Sequence, residues 1–450
     1  MSDSKSADDR DRLASLVAQA KTRGADAADA VLIRSISLSH AQRLGEIEKL
    51  ERQESFDLGL RVFRGKKQAI VSSTDFSDEA LSELVGRAVD MAGMVPDDPW
   101  TGLADPDQLA TDIPDLDMVD PDEPASAELI EMARACEDAA RSIEGITNSD
   151  GAEASWGHSS VTLAATNGFA GHYARTDCGV GVSVIAGEGT DMEGEYDFAH
   201  AVYRADLEDA GAVGIRAGER AVARLGARRM STSQIPVVFD PRVAGGLLGH
   251  LSGAIAGPSI TRGTSFLKDS MGKQIFAPGI RIIDDPHRPR GQRSKPFDAE
   301  GVANKKRALI EDGHLTTWLL DLSSARQLDL ETTGHAGRGT SGPPSPGPTN
   351  LYLEAGEVSP EDLISDIEAG FYITSLMGMG VNGVTGDYSR GASGFWIENG
   401  EITFPVTEMT IAGNLKDMYR SLAPASDLEF RYGTNSPTVR IDGMTVAGGG

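Results

Sequence analysis

Residues 235–262 read IPVVFDPRVAGGLLGHLSGAIAGPSITR. The apolar run 235–239 predicts a buried strand. Asp240 is then placed to cap a helix, and Pro241 falls at the first helical position, where its missing amide hydrogen costs nothing. Val243, Leu247, Leu248, Leu251, Ala254 and Ile255 recur at helical spacing over 242–256, so one face of this helix belongs to a core. Gly245, Gly249, Gly253 and Gly257 fall four apart, and each costs about 1 kcal/mol against Ala inside a helix, so the stripe needs a reason. One reason is structural, a bare face that lets another backbone approach closely. The other is functional, a face turned toward a ligand. Close backbone approach is the expectation.

Upstream, helix and strand patterns alternate. After a polar start expected to be frayed, 12–23 reads as an amphipathic helix through Leu13, Leu16, Val17 and Ala20. Strands follow at 28–36, 56–63 and 68–72, with a turn at Gly65, and a helix opens at Ser77. Between 96 and 124 come ten carboxylates, six prolines and no lysine or arginine, which predicts an exposed linker. The first pattern then returns: a helix over 126–143 capped by Ser126, strands at 159–166, 169–175 and 179–186 with an Asn167-Gly168 turn, and a helix over 209–225. Helix, strands, helix therefore occurs twice, which suggests two related halves.

Downstream, helical spacing recurs only at 360–370, behind Ser359 as a cap. Elsewhere short strands flank Gly-containing turns at Asp312-Gly313, Asn399-Gly400 and Asp442-Gly443, the mark of a mostly antiparallel β domain. The expected fold is thus α+β. A two-part α+β N-terminal region, 1–110 and 111–230, precedes a β-rich C-terminal domain, 231–450, that carries the glycine-rich helix.

Composition limits the partners. The chain has 450 residues, with 68 acidic against 42 basic and a formal charge of -26. Such a balance disfavours bare nucleic acid, because phosphate binding needs a basic face. No apolar run is long enough for a membrane span. Cys136 and Cys178 form no CxxC or metal-ligand spacing, which fits a cytoplasmic setting.

Other chemistries find little support in the residue pattern. His250, His287, His314 and His335 do not recur at the spacing of a metal-ligand pair. Gly391-Ala392-Ser393-Gly394 precedes a strand instead of joining a strand to a helix, so it fails as a nucleophile elbow. The loop 334–349 carries four prolines and is neither helix nor central strand. Within it Arg338 is a candidate peptide contact, its planar fork suited to a carboxylate, against the plainer reading of a solvated surface arginine.

The opening segment resembles the part of the TldD/PmbA family that carries an HExxxH zinc motif. Setting the family's LL-HExxxH on Leu247-Leu248 puts Gly249 at the first zinc histidine, His250 at the catalytic glutamate and Ala254 at the second histidine. RGTSFLKDSMG (262–272), SKPFDAEG (294–301), GDYSRGASGFWIENGEI (386–402) and TIAGNLKDM (410–418) strengthen the resemblance. The family has a zinc-bearing branch, TldD, and a metal-free branch, TldE or PmbA, and this sequence resembles the second. No cysteine follows Cys178, so the C-terminal cysteine ligand of the zinc branch is absent too.

The resemblance implies a subunit with no catalytic residue, no metal ligand and no cofactor of its own. It would be inactive without a zinc-bearing TldD-like partner and would help to hold an extended peptide during cytoplasmic proteolysis and peptide maturation. A homodimer is expected when the chain is alone. Two other readings stay open: a stand-alone hydrolase with an unrecognised metal site, and a regulatory binding protein of the gyrase-modulator type.

Overall fold

The computed structural model describes residues 3–448; Met1 and Ser2, which open the polar start, lie outside the described residues. Helix α1 (Asp3–Thr22) begins well before Arg12. The buried Asp9 accepts from the Arg34 guanidinium at 2.7 and 2.5 Å, which ties the early turns to the sheet below.

Helix, strands, helix does occur twice. The first set is α1, β1 (Ala27–Arg43), β2 (Glu46–Arg64), β3 (Lys67–Ser73) and α2 (Asp78–Met94). The second is α3 (Ser126–Arg141), β4 (Ile146–Ala165), β5 (Ala170–Ala186), β6 (Glu193–Ala201) and α4 (Ala210–Ala223). All six strands join one antiparallel sheet in the order β3-β2-β1-β4-β5-β6, with the two halves meeting at the β1–β4 pairing.

The strands are longer than the apolar pattern predicts. Residues 46–54 of β2 are exposed on both faces, so the sequence there carries no imprint of a buried side, and cross-strand backbone bonds alone define the arm. Ser126 is the first helical residue, not the cap of α3. The exposed backbone amide of Ala125 donates to Glu128 at 2.7 Å, which closes that end.

Residues 96–124 form a strap with buried anchors, correcting the expectation of an exposed linker. Ala104, Ala110, Leu116 and Met118 are buried between the carboxylates. The Arg326 guanidinium donates to the carbonyls of Gly102 (3.1 Å) and Leu103 (2.6 Å). Thr176 N donates to the Met118 carbonyl at 2.8 Å. The strap therefore touches both the N-terminal sheet and the C-terminal domain.

In the C-terminal domain, β7 (Ser233–Phe239) leads into α5 (Pro241–Ala254). Strand β7 lies between Ala369–Met377, which it pairs in parallel, and Val439–Gly448, which it pairs antiparallel. The strands Asp387–Glu398 and Glu401–Asn414 extend the sheet, and the last of these also pairs with Val439–Gly448, so the sheet closes on itself. The Asn399-Gly400 turn joins those two strands with both residues at positive φ (52° and 81°), as a two-residue type I′ hairpin needs.

Asp442-Gly443 is not a hairpin turn. It sits inside Val439–Gly448, where the register against β7 shifts between Ile441 and Met444, and Gly443 at φ 78° absorbs the bulge. The helix expected over 360–370 stops at Ile364. Ser359 does cap it, accepting from Asp362 N at 3.1 Å, but Ala369 already begins the strand Ala369–Met377.

A buried charge cluster joins the two regions. Asp29 on β1 accepts from Arg61 on β2 (2.5 Å) and from Arg338 in the proline-rich loop (2.5 Å), while Arg61 also faces Glu300 at 3.6 Å. All four side chains are at most 4% exposed. Burial alone would lift the Asp29 carboxyl, but Arg338 and Arg61 together hold it below its ordinary range. Close packing seals the contact, since a Cβ on Gly59 of β2 would collide with the Thr340 backbone. Asp29→Ala leaves Arg338 buried without its carboxylate and Arg61 with Glu300 alone, and should cost about 3–5 kcal/mol in denaturant unfolding of the full chain. A loss below about 1 kcal/mol, the range of a surface pair, would contradict this account.

Candidate functional site

Helix α5 is held at its start, at its middle and along its inner face. Asp240 Oδ1 accepts from Arg242 N (2.9 Å), its Oδ2 accepts from the Tyr372 hydroxyl (2.9 Å), and Pro241 occupies the first turn. Farther along, the buried Tyr419 hydroxyl donates to the Leu247 carbonyl at 3.0 Å. Ala244, Leu247, Leu248, Leu251 and Ala254 are buried among Phe371, Ile373, Tyr388, Ile411 and Leu415. Each fully buried leucine contributes about 1.5–3 kcal/mol. Arg242 adds a tie to the N-terminal sheet, donating to Glu195 at 3.2 Å and to the Tyr196 carbonyl at 2.9 Å.

The glycine stripe divides into two parts. Gly257 is tightly packed, because a Cβ there would collide with the Ser324 side chain, and Gly245 lies near the Thr434 carbonyl (3.3 Å from an added Cβ). Gly249 and Gly253 meet nothing within 4 Å. Close backbone approach therefore fails at these two positions within the chain, and the stripe opens there into a cavity of about 280 Å³.

That cavity gathers Gly249, His250 and Ala254, the three positions that align with the zinc motif. Ser259, Thr264, Phe266, Val381, Arg390 and Leu415 complete much of its wall, and Met379, 95% exposed, stands at its rim. His250 Nε2 and Arg390 Nε are both buried without a hydrogen-bond partner. The His250 ring packs edge-on against Tyr388, with centroids 5.9 Å apart. Burial, reinforced by the Arg390 charge, pushes the His250 pKa below its ordinary value. Burial lifts the Tyr388 hydroxyl to about 12, although the Arg390 charge works against the rise.

Zinc does not fit this donor set. A zinc site takes three or four His, Cys, Asp or Glu donors, whereas the cavity wall offers one imidazole and two hydroxyls. Among the described residues no group of three or more such side chains is arranged to hold a metal. The other histidines are engaged separately. His287 Nε2 lies 2.7 Å from Asn304 Oδ1, the exposed His314 bonds the Asp312 carbonyl at 2.8 Å, and the buried His335 lies 3.2 Å from Asp284.

Arg338 does not line this cavity. It is neither a solvated surface arginine nor directed to open space, because Asp29 holds it at the junction of the two regions. Arg390 and Tyr388 escaped the sequence reading. The available signal was strand alternation in 386–402, which puts positions 388 and 390 on one face.

The C-terminal domain model of the PmbA/TldA metallopeptidases matches residues 232–448, the central-domain model 119–225 and the domain 1 model 28–92. The chain is 40% identical to the metalloprotease PmbA of Escherichia coli O157:H7 over 425 residues, covering 94% of this chain and 92% of that protein. This chain belongs to the PmbA/TldD metallopeptidase family. A Haemophilus influenzae homologue of the metalloprotease PmbA is 35% identical over 96% of this chain and 95% of its own length. A proposed modulator of DNA gyrase from Bacteroides thetaiotaomicron shares the structure with a TM-score of 0.91 at 26% identity, covering 98% of this chain and 99% of that one. TldE from Thermococcus kodakarensis shares the fold, with a TM-score of 0.86 at 21% identity over 97% and 100% of the two chains.

In this PmbA/TldD-family chain the two kinds of stripe glycine should respond oppositely to alanine. Gly249→Ala should be neutral or stabilising by up to about 1 kcal/mol, the helix-propensity gain. Gly257→Ala should lower the unfolding midpoint, since its methyl has no room. Thermal or denaturant unfolding of the two variants checks this, and equal losses at both positions would contradict it.

Proposed function

We propose that this chain is the metal-free, non-catalytic subunit of a two-component TldD/TldE-type zinc peptidase that works in the cytoplasm. The observation that carries the reading is chemical: the helix face aligned with the zinc motif ends in Gly249, His250 and Ala254, and its cavity lacks a metal donor set. Peptide cleavage then belongs to a TldD-like partner that supplies the zinc. This subunit walls the shared chamber and holds an extended peptide, a task for which exposed strand edges and the open cavity are suited.

Several features favour pairing. Met377, Met379 and Val384 are exposed beside the cavity, and apolar groups clustered at a rim suit a surface that a second subunit covers. A homodimer through the same face is the expected state when the partner is absent. Among the described residues no helix is long and apolar enough to cross a membrane. The charge of -26 stands against direct contact with DNA, so any effect on gyrase would run through a peptide or protein.

Mixing the purified chain with a zinc-bearing TldD-like relative tests the proposal. Cleavage of an unstructured peptide should be absent with this chain alone and present in the mixture, together with a complex on size-exclusion chromatography. Equal cleavage by a homogeneous sample of the isolated chain would overturn it in favour of a stand-alone hydrolase. Recovery of gyrase without any TldD-like subunit would favour the regulatory reading instead.

A further inference from the structure

The α5 cavity carries charge of one sign. Arg390 contributes a guanidinium, and none of the residues lining the cavity is acidic, in a chain whose net charge is -26. Among the described residues Arg390 has no carboxylate partner; its charge acts on the neighbouring Tyr388 hydroxyl. Its Nε and His250 Nε2 are buried with no hydrogen-bond partner. Both side chains line the cavity, and a guanidinium left without a carboxylate marks the place of an anionic acceptor that binding supplies.

Apart from the Ser259 and Thr264 hydroxyls, the rest of the wall is apolar or glycine. Ala254, Phe266, Val381 and Leu415 surround a space left open by Gly249 and Gly253. At about 280 Å³ it lies just below the range of about 300–1,000 Å³ for small-ligand sites, a size for the end of a peptide instead of a long segment.

We propose that this cavity captures the C-terminal residue of a peptide, with Arg390 and His250 binding the α-carboxylate and the apolar wall taking the side chain. A planar carboxylate matches the guanidinium fork, and such charge-assisted bonds are about twice as strong as neutral ones. One carboxylate also balances one guanidinium, and burial disfavours a second positive charge on His250. A phosphate, with nearly two charges at neutral pH, would leave excess charge in this wall. Tyr388 acts through Arg390 as a positioning residue. The inference rests on the reading of this subunit as the peptide-holding half of a paired peptidase, and it names the part of the peptide that is held.

Fluorescence anisotropy with a labelled, unstructured hexapeptide ending in leucine tests the assignment on the full chain, alone and in complex with its zinc-bearing relative. The probes are the free acid, the C-terminal amide, and an amide carrying one internal glutamate. The free acid should bind about 10- to 100-fold more tightly than either amide, the range expected for hydrogen bonds to a charged group. Arg390→Gln should erase the preference and Arg390→Lys should retain part of it. Gly249→Leu, whose side chain enters open space, should block all binding while the unfolding midpoint is maintained.

Equal binding of acid and amide, alone and in complex, would overturn the proposal, as would an unchanged preference in Arg390→Gln. An internal-glutamate amide that matched the free acid would overturn the assignment to a chain end. Partner-dependent cleavage without any acid preference would sink this inference alone. Acid preference in a chain that cleaves unaided would sink the paired-peptidase reading and leave the pocket assignment standing.

Discussion

The seating of α5 on the closed C-terminal sheet is the constraint from which the site follows. Asp240 fixes where the helix begins, through its own helix amide and through Tyr372. The Tyr419 hydroxyl fixes its middle at the Leu247 carbonyl. With Leu247, Leu248 and Leu251 buried on one side, the helix cannot rotate without exposing apolar surface. Gly249 and Gly253 are thereby turned toward the cavity, and His250 is brought beside Tyr388.

A second constraint sets the N-terminal sheet against that domain. The pairs Asp29–Arg61 and Asp29–Arg338 lie almost wholly out of solvent, so their value lies less in net stability than in the penalty for separating them. The Arg242–Glu195 contact does related work at the first turn of α5. Its guanidinium also lies over the Tyr196 ring, 4.8 Å from the centroid, so the edge of the N-terminal sheet reaches the start of the helix that carries the cavity. The strap of residues 96–124 spans the same junction.

Much of this was legible in the sequence where one side of an element is buried. Strand β7, the Asp240 cap, α5 and the Asn399-Gly400 hairpin follow from apolar spacing and turn chemistry, and the repeated helix–strand–helix order follows in the same way. The exposed part of β2 and the anchors in the strap were hidden, because neither leaves a periodic apolar signal. The bulge at Gly443 was mistaken for a turn, since a positive-φ glycine serves both. For the site, spacing found the helix and its glycines but not their roles. Only the packing of Ser324 against Gly257 and the open space at Gly249 and Gly253 separate a crowded glycine from one that lines a cavity. The partner of Arg338 was likewise beyond reach, because its contact with Asp29 joins segments far apart in the chain.

The central claim is that the helix face aligned with a zinc motif cannot hold the metal. Elemental analysis of the isolated full chain, purified and then dialysed after exposure to excess zinc, tests it most directly. The account predicts far less than one zinc per chain, at a level unchanged by His250→Ala. One tightly held zinc per chain, lost in His250→Ala, would contradict it.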